Sequence, residues 1–109
     1  MEITIGIPAY KTQNYICNLL DSIKLQTISN QLKVIIASDA PEETKDYLEI
    51  SKKYDLNIKV LDTLENTGPG LARQRCIDNC QTEWIMFADA DDVFFTPTAL
   101  GSFINEIDN

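Results

Sequence analysis

Apolar positions in this chain follow two alternating rhythms. Glu2 to Ile7 reads as a strand, and Pro8 is expected to end it by withholding a ladder donor. Ile16, Leu19, Leu20 and Ile23 then recur at helical spacing, predicting a helix over about residues 14–27. Leu32 to Ala37 is a β-branched apolar run, the mark of a strand buried on both faces. Pro41, Glu42 and Glu43 open a second helix, with proline and acids where the helix dipole favours them; it carries Tyr47, Leu48 and Ile50 and fades near Tyr54. Asn57 to Leu61 predicts a third strand, Gly68-Pro69-Gly70 opens a third helix to about Cys80, and Trp84 to Ala88 predicts a fourth strand. Thr96 caps a last helix with Pro97 in its first turn and a buried stripe of Leu100, Phe103, Ile104 and Ile107.

Strands alternating with helices imply right-handed βαβ units: a Rossmann-like, doubly wound α/β fold with a mainly parallel four-stranded sheet and helices on both faces. No repeat or linker divides the chain, so residues 1–109 are read as one domain. In such sheets ligands bind beyond the carboxyl ends of the strands. The four predicted strand ends deliver Pro8-Ala9-Tyr10, Ser38-Asp39, the loop Leu64 to Gly68, and Asp89-Ala90-Asp91-Asp92. The polar and glycine-rich residues thus converge on one edge.

Composition narrows the chemistry. With 17 acidic and 9 basic side chains the net charge is −8, which repels a nucleic-acid backbone or an anionic membrane. No apolar run approaches the ~20 residues that span a bilayer, and Met1 to Ile5 lacks the basic leader of a signal peptide. The three cysteines, Cys17, Cys76 and Cys80, form no Cys-x-x-Cys pair, so a reducing cytoplasm is expected. Cys76 and Cys80 lie on one helical face with Ala72 and read as core packing. The absence of histidine excludes a Ser-His-Asp triad and any histidine-ligated zinc site within these residues.

Asp89-Ala90-Asp91-Asp92 carries the strongest chemical signal. Three carboxylates within four residues repel one another at a strand end, and a divalent cation relieves that repulsion. Oxygen-only ligands suit Mn2+ or Mg2+. An acidic loop that only caps the last helix is the plainer alternative. Asn66-Thr67-Gly68-Pro69-Gly70-Leu71-Ala72-Arg73 opens a helix with glycines that let backbone N–H groups approach an anion, and Arg73 adds a cation nearby. An ordinary glycine-proline turn with a surface arginine explains it equally well. Asp39 suits a hydrogen bond to a base or ribose, or a turn or helix cap. Tyr10 suits stacking on a base.

Together these segments resemble the N-terminal, nucleotide-sugar-binding half of a family 2 glycosyltransferase with the GT-A fold. Ile7-Pro8-Ala9-Tyr10-Lys11 resembles the opening "IPAYN" segment, Ser38-Asp39 the acidic end of the second strand, Asn66 to Arg73 the "NxGxxxAR" stretch, and Trp84 to Val93 the segment holding the DxD signature. The resemblance implies that Pro8, Ala9 and Tyr10 line a nucleobase pocket and that Asp39 bonds the base, with Ser38 as the register alternative. It places Asn66, Gly68 and Arg73 along the nucleotide and Asp89 on the ribose or sugar side. Asp91, with Asp89, would hold the metal that bridges the two phosphates, and Asp92 would be a further contact. The donor implied is a nucleotide-diphosphate sugar, with a UDP-sugar expected, and the acceptor is not indicated.

Some positions depart from the family pattern. Lys11 replaces asparagine, Ala40-Pro41 stands where a second acid and a glycine are common, and Gln74 and Cys76 replace the asparagine and glycine after the Ala-Arg pair. The acceptor half and its catalytic base are also missing from the resemblance. No catalytic residue is therefore assigned: donor and metal binding are expected, with weak or absent transfer by these residues alone. A non-catalytic α/β interaction module retaining the scaffold is the alternative. A phosphotransfer receiver fits poorly, since it needs acids where Pro8-Ala9-Tyr10 stands. A sheet edge left open by the missing half invites self-association.

Overall fold

The computed structural model describes residues 2–94 and 96–108, apart from the side chains of Phe103, Ile107 and Asp108. In chain order the elements are β1 (Ile3–Ala9), α1 (Ile16–Lys24), β2 (Leu32–Ser38), α2 (Thr44–Ser51), β3 (Asn57–Leu61), α3 (Pro69–Asp78), β4 (Trp84–Phe87) and α4 (Ala99–Asp108). Short 3-10 turns, Ser29–Gln31 and Pro41–Glu43, lead into β2 and α2. The second predicted helix thus begins as a tighter turn and becomes α-helical only at Thr44.

The strands are parallel, in the order β3-β2-β1-β4. Ile3 to Ala9 pair with Leu32 to Ser38, and Ile3 to Gly6 pair on the other side with Trp84 to Phe87. The chain therefore steps outward from β1 to β3, then returns to the far side of β1, and its winding reverses between β1 and β4. That reversal opens a crevice at the carboxyl ends.

Pro8 does not end β1, which runs on to Ala9. The Ala9 carbonyl accepts the Asp39 N–H from the β2 side, while the Gly6 carbonyl accepts the Ala88 N–H from the β4 side. Pro8 shares the phase of Gly6, so its missing N–H faces β4, whose pairing with β1 has already stopped at Gly6. The proline sits where no ladder donor is required.

One sheet face buries Ile3, Ile5, Ile7, Val34 and Ile36 against Leu19, Leu20 and Ile23 of α1, Tyr47 of α2, and Leu100 and Ile104 of α4. Each such aliphatic side chain contributes on the order of 1.5–3 kcal/mol by leaving water. Of the stripe expected on the last helix, Leu100 and Ile104 are buried; Phe103 and Ile107 lie outside the described side chains. The other face is smaller, with Ile35 and Ala37 packed on Ala72 and Cys76 of α3. Helix α3 lies close because β1 offers Gly6: a Cβ there would stand 3.1 Å from the Cys76 Cβ and from the Phe87 ring. Strand β4 forms an edge with Trp84 and Phe87 partly exposed. Among the described residues no helix is long and apolar enough to cross a membrane.

Candidate functional site

Beyond the carboxyl ends of the strands lies a cavity of about 690 Å³, within the range of small-molecule sites. Pro8, Ala9 and Tyr10 line it from β1, Asp39 from β2, Asn66 and Gly68 from the loop after β3, and Asp89 and Asp91 from the loop after β4. These residues, from all four strand ends, are the ones singled out in the sequence. Arg73 is not among the lining residues; its guanidinium stands 3.6 Å from the Asp89 carboxylate. Both side chains are largely exposed, so the pair adds little stability but sets a cation beside the acidic rim.

The wall between Asp39 and α3 is closely tied. Asp39 is only 3% exposed. Its Oδ1 accepts the Thr67 N–H and hydroxyl, each at 2.9 Å, and its Oδ2 accepts the Gly68 N–H at 2.8 Å. The carboxylate thereby satisfies donors that precede the first turn of α3, a cap supplied from another strand. Gly68 has φ +89° and ψ 164°, a region open to glycine alone. Arg75 closes the arrangement: Nη1 donates to the Asp62 carbonyl and Nη2 to the Ser38 carbonyl, each at 2.9 Å, with Nη2 also 3.6 Å from Asp39 Oδ1. Arg75 Nε is buried without an acceptor among the described residues. Ser38, the register alternative to Asp39, points to the opposite face, where its hydroxyl meets Ala40 and Thr44.

The β1–α1 loop is held by a network that the sequence reading missed. Lys11 has a left-handed backbone, φ +55°, and its N–H donates to Glu43 Oε1 at 2.7 Å. The same oxygen accepts the Tyr47 hydroxyl at 2.8 Å, and that hydroxyl lies 3.1 Å from the Thr12 hydroxyl. Burial, with the Glu43 carboxylate adding to it, pushes the Tyr47 phenol up to about 12. The Lys11 ammonium rests over the Tyr10 ring, 5.2 Å from its centroid. The four-residue spacing of Glu43 and Tyr47, which puts them on one helical face, was the available signal.

The acidic rim fits a hard cation. One carboxylate oxygen from each of Asp89, Asp91 and Asp92 falls within 4.8 Å of the others, all three residues being exposed. Asp92 also turns back on the loop, its Oδ2 accepting the Asp89 N–H at 2.9 Å. An all-oxygen donor set of this charge suits Mn2+ or Mg2+ over softer metals. Cys76 is core, as expected, with burial raising its thiol to about 11. Cys17, Cys76 and Cys80 are all free.

Residues 4–109 match the family model described as glycosyl transferase family 2. The chain belongs to that family. This family 2 chain is 34% identical, over 92 residues, to the teichoic acid poly(glycerol phosphate) polymerase of Staphylococcus epidermidis, covering 84% of this chain and 13% of that protein. It is 30% identical, over 112 residues, to the poly(ribitol-phosphate) beta-N-acetylglucosaminyltransferase TarS of Staphylococcus aureus, covering 97% of this chain and 19% of TarS. The structure of TarS residues 1–349 superposes with a TM-score of 0.88 at 29% identity, over 99% of this chain and 32% of that one. The complex of the same TarS segment with UDP-GlcNAc gives 0.87 at 25% identity. The fold is also shared with the mannosyltransferase PcManGT of Pyrobaculum calidifontis, solved with GDP-Man and Mn2+, at a TM-score of 0.89 and 20% identity. The family 2 chain therefore has the GT-A fold, and spans less than a fifth of the length of the two curated relatives named here.

Proposed function

We propose that residues 1–109 form a nucleotide-sugar-binding domain, the donor-holding part of a glycosyltransferase, with a UDP-sugar as ligand. The observation that carries this reading is the cavity itself, which gathers Tyr10, Asp39, Gly68 and Asp91 from four strand ends into one hollow. The TarS complex with UDP-GlcNAc supports a uridine nucleotide. Pro8, Ala9 and Tyr10 flank the base, and Asn66 and Gly68 follow the nucleotide. Asp39 keeps about one of a carboxylate's four lone-pair sites for it, since three are taken by Thr67 and Gly68. Arg73 stands with Asp89 on the ribose or sugar side. Asp91 and Asp89 hold Mn2+ or Mg2+, with Asp92 completing the acidic rim. When bound, such an ion neutralises charge on a departing nucleoside diphosphate. Glycosyl transfer is the reaction this donor site serves, and the free thiols support a cytoplasmic setting.

Titration calorimetry with UDP, with and without Mn2+, tests this reading. Heat of binding is expected with the metal present, and Asp91→Ala should weaken the metal-dependent affinity by about tenfold or more, the scale of one charge-assisted contact. A folded protein that gives no heat with UDP and Mn2+ together would refute donor binding and leave an α/β scaffold without this chemistry.

A further inference from the structure

We propose that Arg75 is a positioning residue for the nucleotide, acting through Asp39 on the Asn66–Gly68 turn; this rests on the donor-binding reading above. The family resemblance assigns a role to Arg73 and none to Arg75. The geometry separates the two arginines differently. Arg73 reaches outward to an exposed carboxylate, whereas Arg75 lies among the strand exits.

Its planar fork donates to the Ser38 carbonyl at the end of β2 and to the Asp62 carbonyl just past β3, each at 2.9 Å. Lysine presents its donors from one nitrogen and lacks the planar fork that spans the two carbonyls from separate nitrogens. The same Nη2 stands 3.6 Å from Asp39 Oδ1. Asp39 is a buried carboxylate, and a buried charge is tolerated when paired and hydrogen-bonded. Arg75 supplies the positive partner, and Thr67 and Gly68 supply the hydrogen bonds. Those bonds hold Gly68 at φ +89° and bring Asn66 and Gly68 to the cavity wall. One line of contact therefore runs from guanidinium to carboxylate to turn to cavity.

The consequence is measurable without any ligand. In the metal-free, nucleotide-free protein, Arg75→Gln should speed amide hydrogen exchange at Thr67 and Gly68 by about tenfold through local opening, leaving Ile5 and Ile36 in the sheet within about twofold of wild type. With Mn2+ present, Arg75→Gln should weaken UDP binding by about tenfold, and by less than about twofold in an Asp39→Asn background, because the two substitutions break the same line of contact. Arg75→Lys should fall between wild type and Arg75→Gln, and it carries the same comparisons if Arg75→Gln does not fold. Unchanged exchange at Thr67 and Gly68, or equal affinity losses in both backgrounds, would overturn the assignment. If wild type itself fails to bind UDP, the donor reading falls and the nucleotide role of Arg75 with it. A wild type that binds UDP while exchange at Thr67 and Gly68 is unchanged in Arg75→Gln overturns the Arg75 assignment alone.

Discussion

Replacing Gly68 by alanine isolates the backbone contribution to the site. Gly68 is the only glycine at positive φ among the described residues, and its φ of +89° with ψ 164° lies where side-chain-bearing residues are essentially absent. A Cβ there would meet nothing within 4 Å, so steric crowding contributes nothing to the cost. Two responses are open to the chain. It can keep the turn and bear a torsional strain of about 1–3 kcal/mol. It can instead relax the turn and give up the 2.8 Å bond from the Gly68 N–H to Asp39, a charge-assisted contact worth about 1.5–3 kcal/mol. Either route predicts a loss of about 1–3 kcal/mol, a fall of roughly 5–15 °C in Tm for a domain this size. Gly70 provides the internal control. It sits in the first turn of α3, also has nothing within 4 Å of an added Cβ, and has no positive φ, so Gly70→Ala should stabilise by about 0.5–1 kcal/mol. Calorimetric melting of the two variants beside wild type provides the test. Equal shifts, or a neutral Gly68→Ala, would refute the claim that a glycine-only conformation sets this wall.

The network under the β1–α1 loop predicts a pH dependence. The Tyr47 phenol is raised from 10 to about 12, so between those values the unfolded chain has lost a proton that the folded one keeps. Stability from this group is therefore full below pH 10 and lost as pH rises towards 12, by roughly 2–3 kcal/mol at most. Tyr47→Phe should be about 1–2 kcal/mol less stable at pH 7, since Glu43 loses a donor, and its stability should fall less steeply between pH 10 and 12; urea melts at each pH measure both, and parallel slopes would contradict the assignment. Close packing of α3 on β1 predicts that Gly6→Ala costs about 1–3 kcal/mol by overpacking against Cys76 and Phe87. In the double variant Gly6→Ala with Cys76→Gly, the two losses should sum to more than the measured loss, and strict additivity would count against contact between these positions.

The strand and helix pattern was legible because burial of one sheet face leaves an alternate-residue imprint on Ile3, Ile5, Ile7, Val34 and Ile36, and packing against that face leaves the helical stripe of α1. The strand-end residues were legible for a topological reason: in a parallel sheet every strand delivers its next loop to the same edge. Long-range partnerships left no such trace. Nothing local shows that Asp39 takes its donors from Thr67 and Gly68, because that choice depends on how α3 is seated. The arginines of α3 illustrate the point. The resemblance directs attention to Arg73, but the way α3 lies across the sheet, with one flank towards β2 and β3, decides which arginine reaches those strand exits. Arg73 and Arg75 flank the Ala72–Cys76 face symmetrically, each adjacent to one of those residues and three from the other, so helical phase alone did not separate them. Pro8 was misread as a terminator because the direction its nitrogen faces depends on where β4 stops pairing, which is a tertiary property.

The same logic explains why departures from the family pattern leave the cavity intact. Where the resemblance leads one to expect glycine at the position of Cys76, the close approach of α3 to β1 is met from the strand side by Gly6. Pro41 takes the place of an expected glycine without strain, since it opens a 3-10 turn, where a fixed negative φ is favourable, and Ala40 before it is ordinary extended backbone at φ −142°. Glu43, two residues beyond Pro41, supplies the buried carboxylate at that corner and uses it on the Lys11 N–H. Lys11 itself occupies a left-handed conformation in which asparagine is several-fold enriched, so the loop keeps the shape that the family's asparagine favours. The Glu43 bond and the contact with the Tyr10 ring hold a residue that would otherwise resist that conformation. Shape is thus conserved while charge is not: the substitution leaves the cavity floor in place and adds one cation at its rim, opposite in sign to the Asp89–Asp91 side.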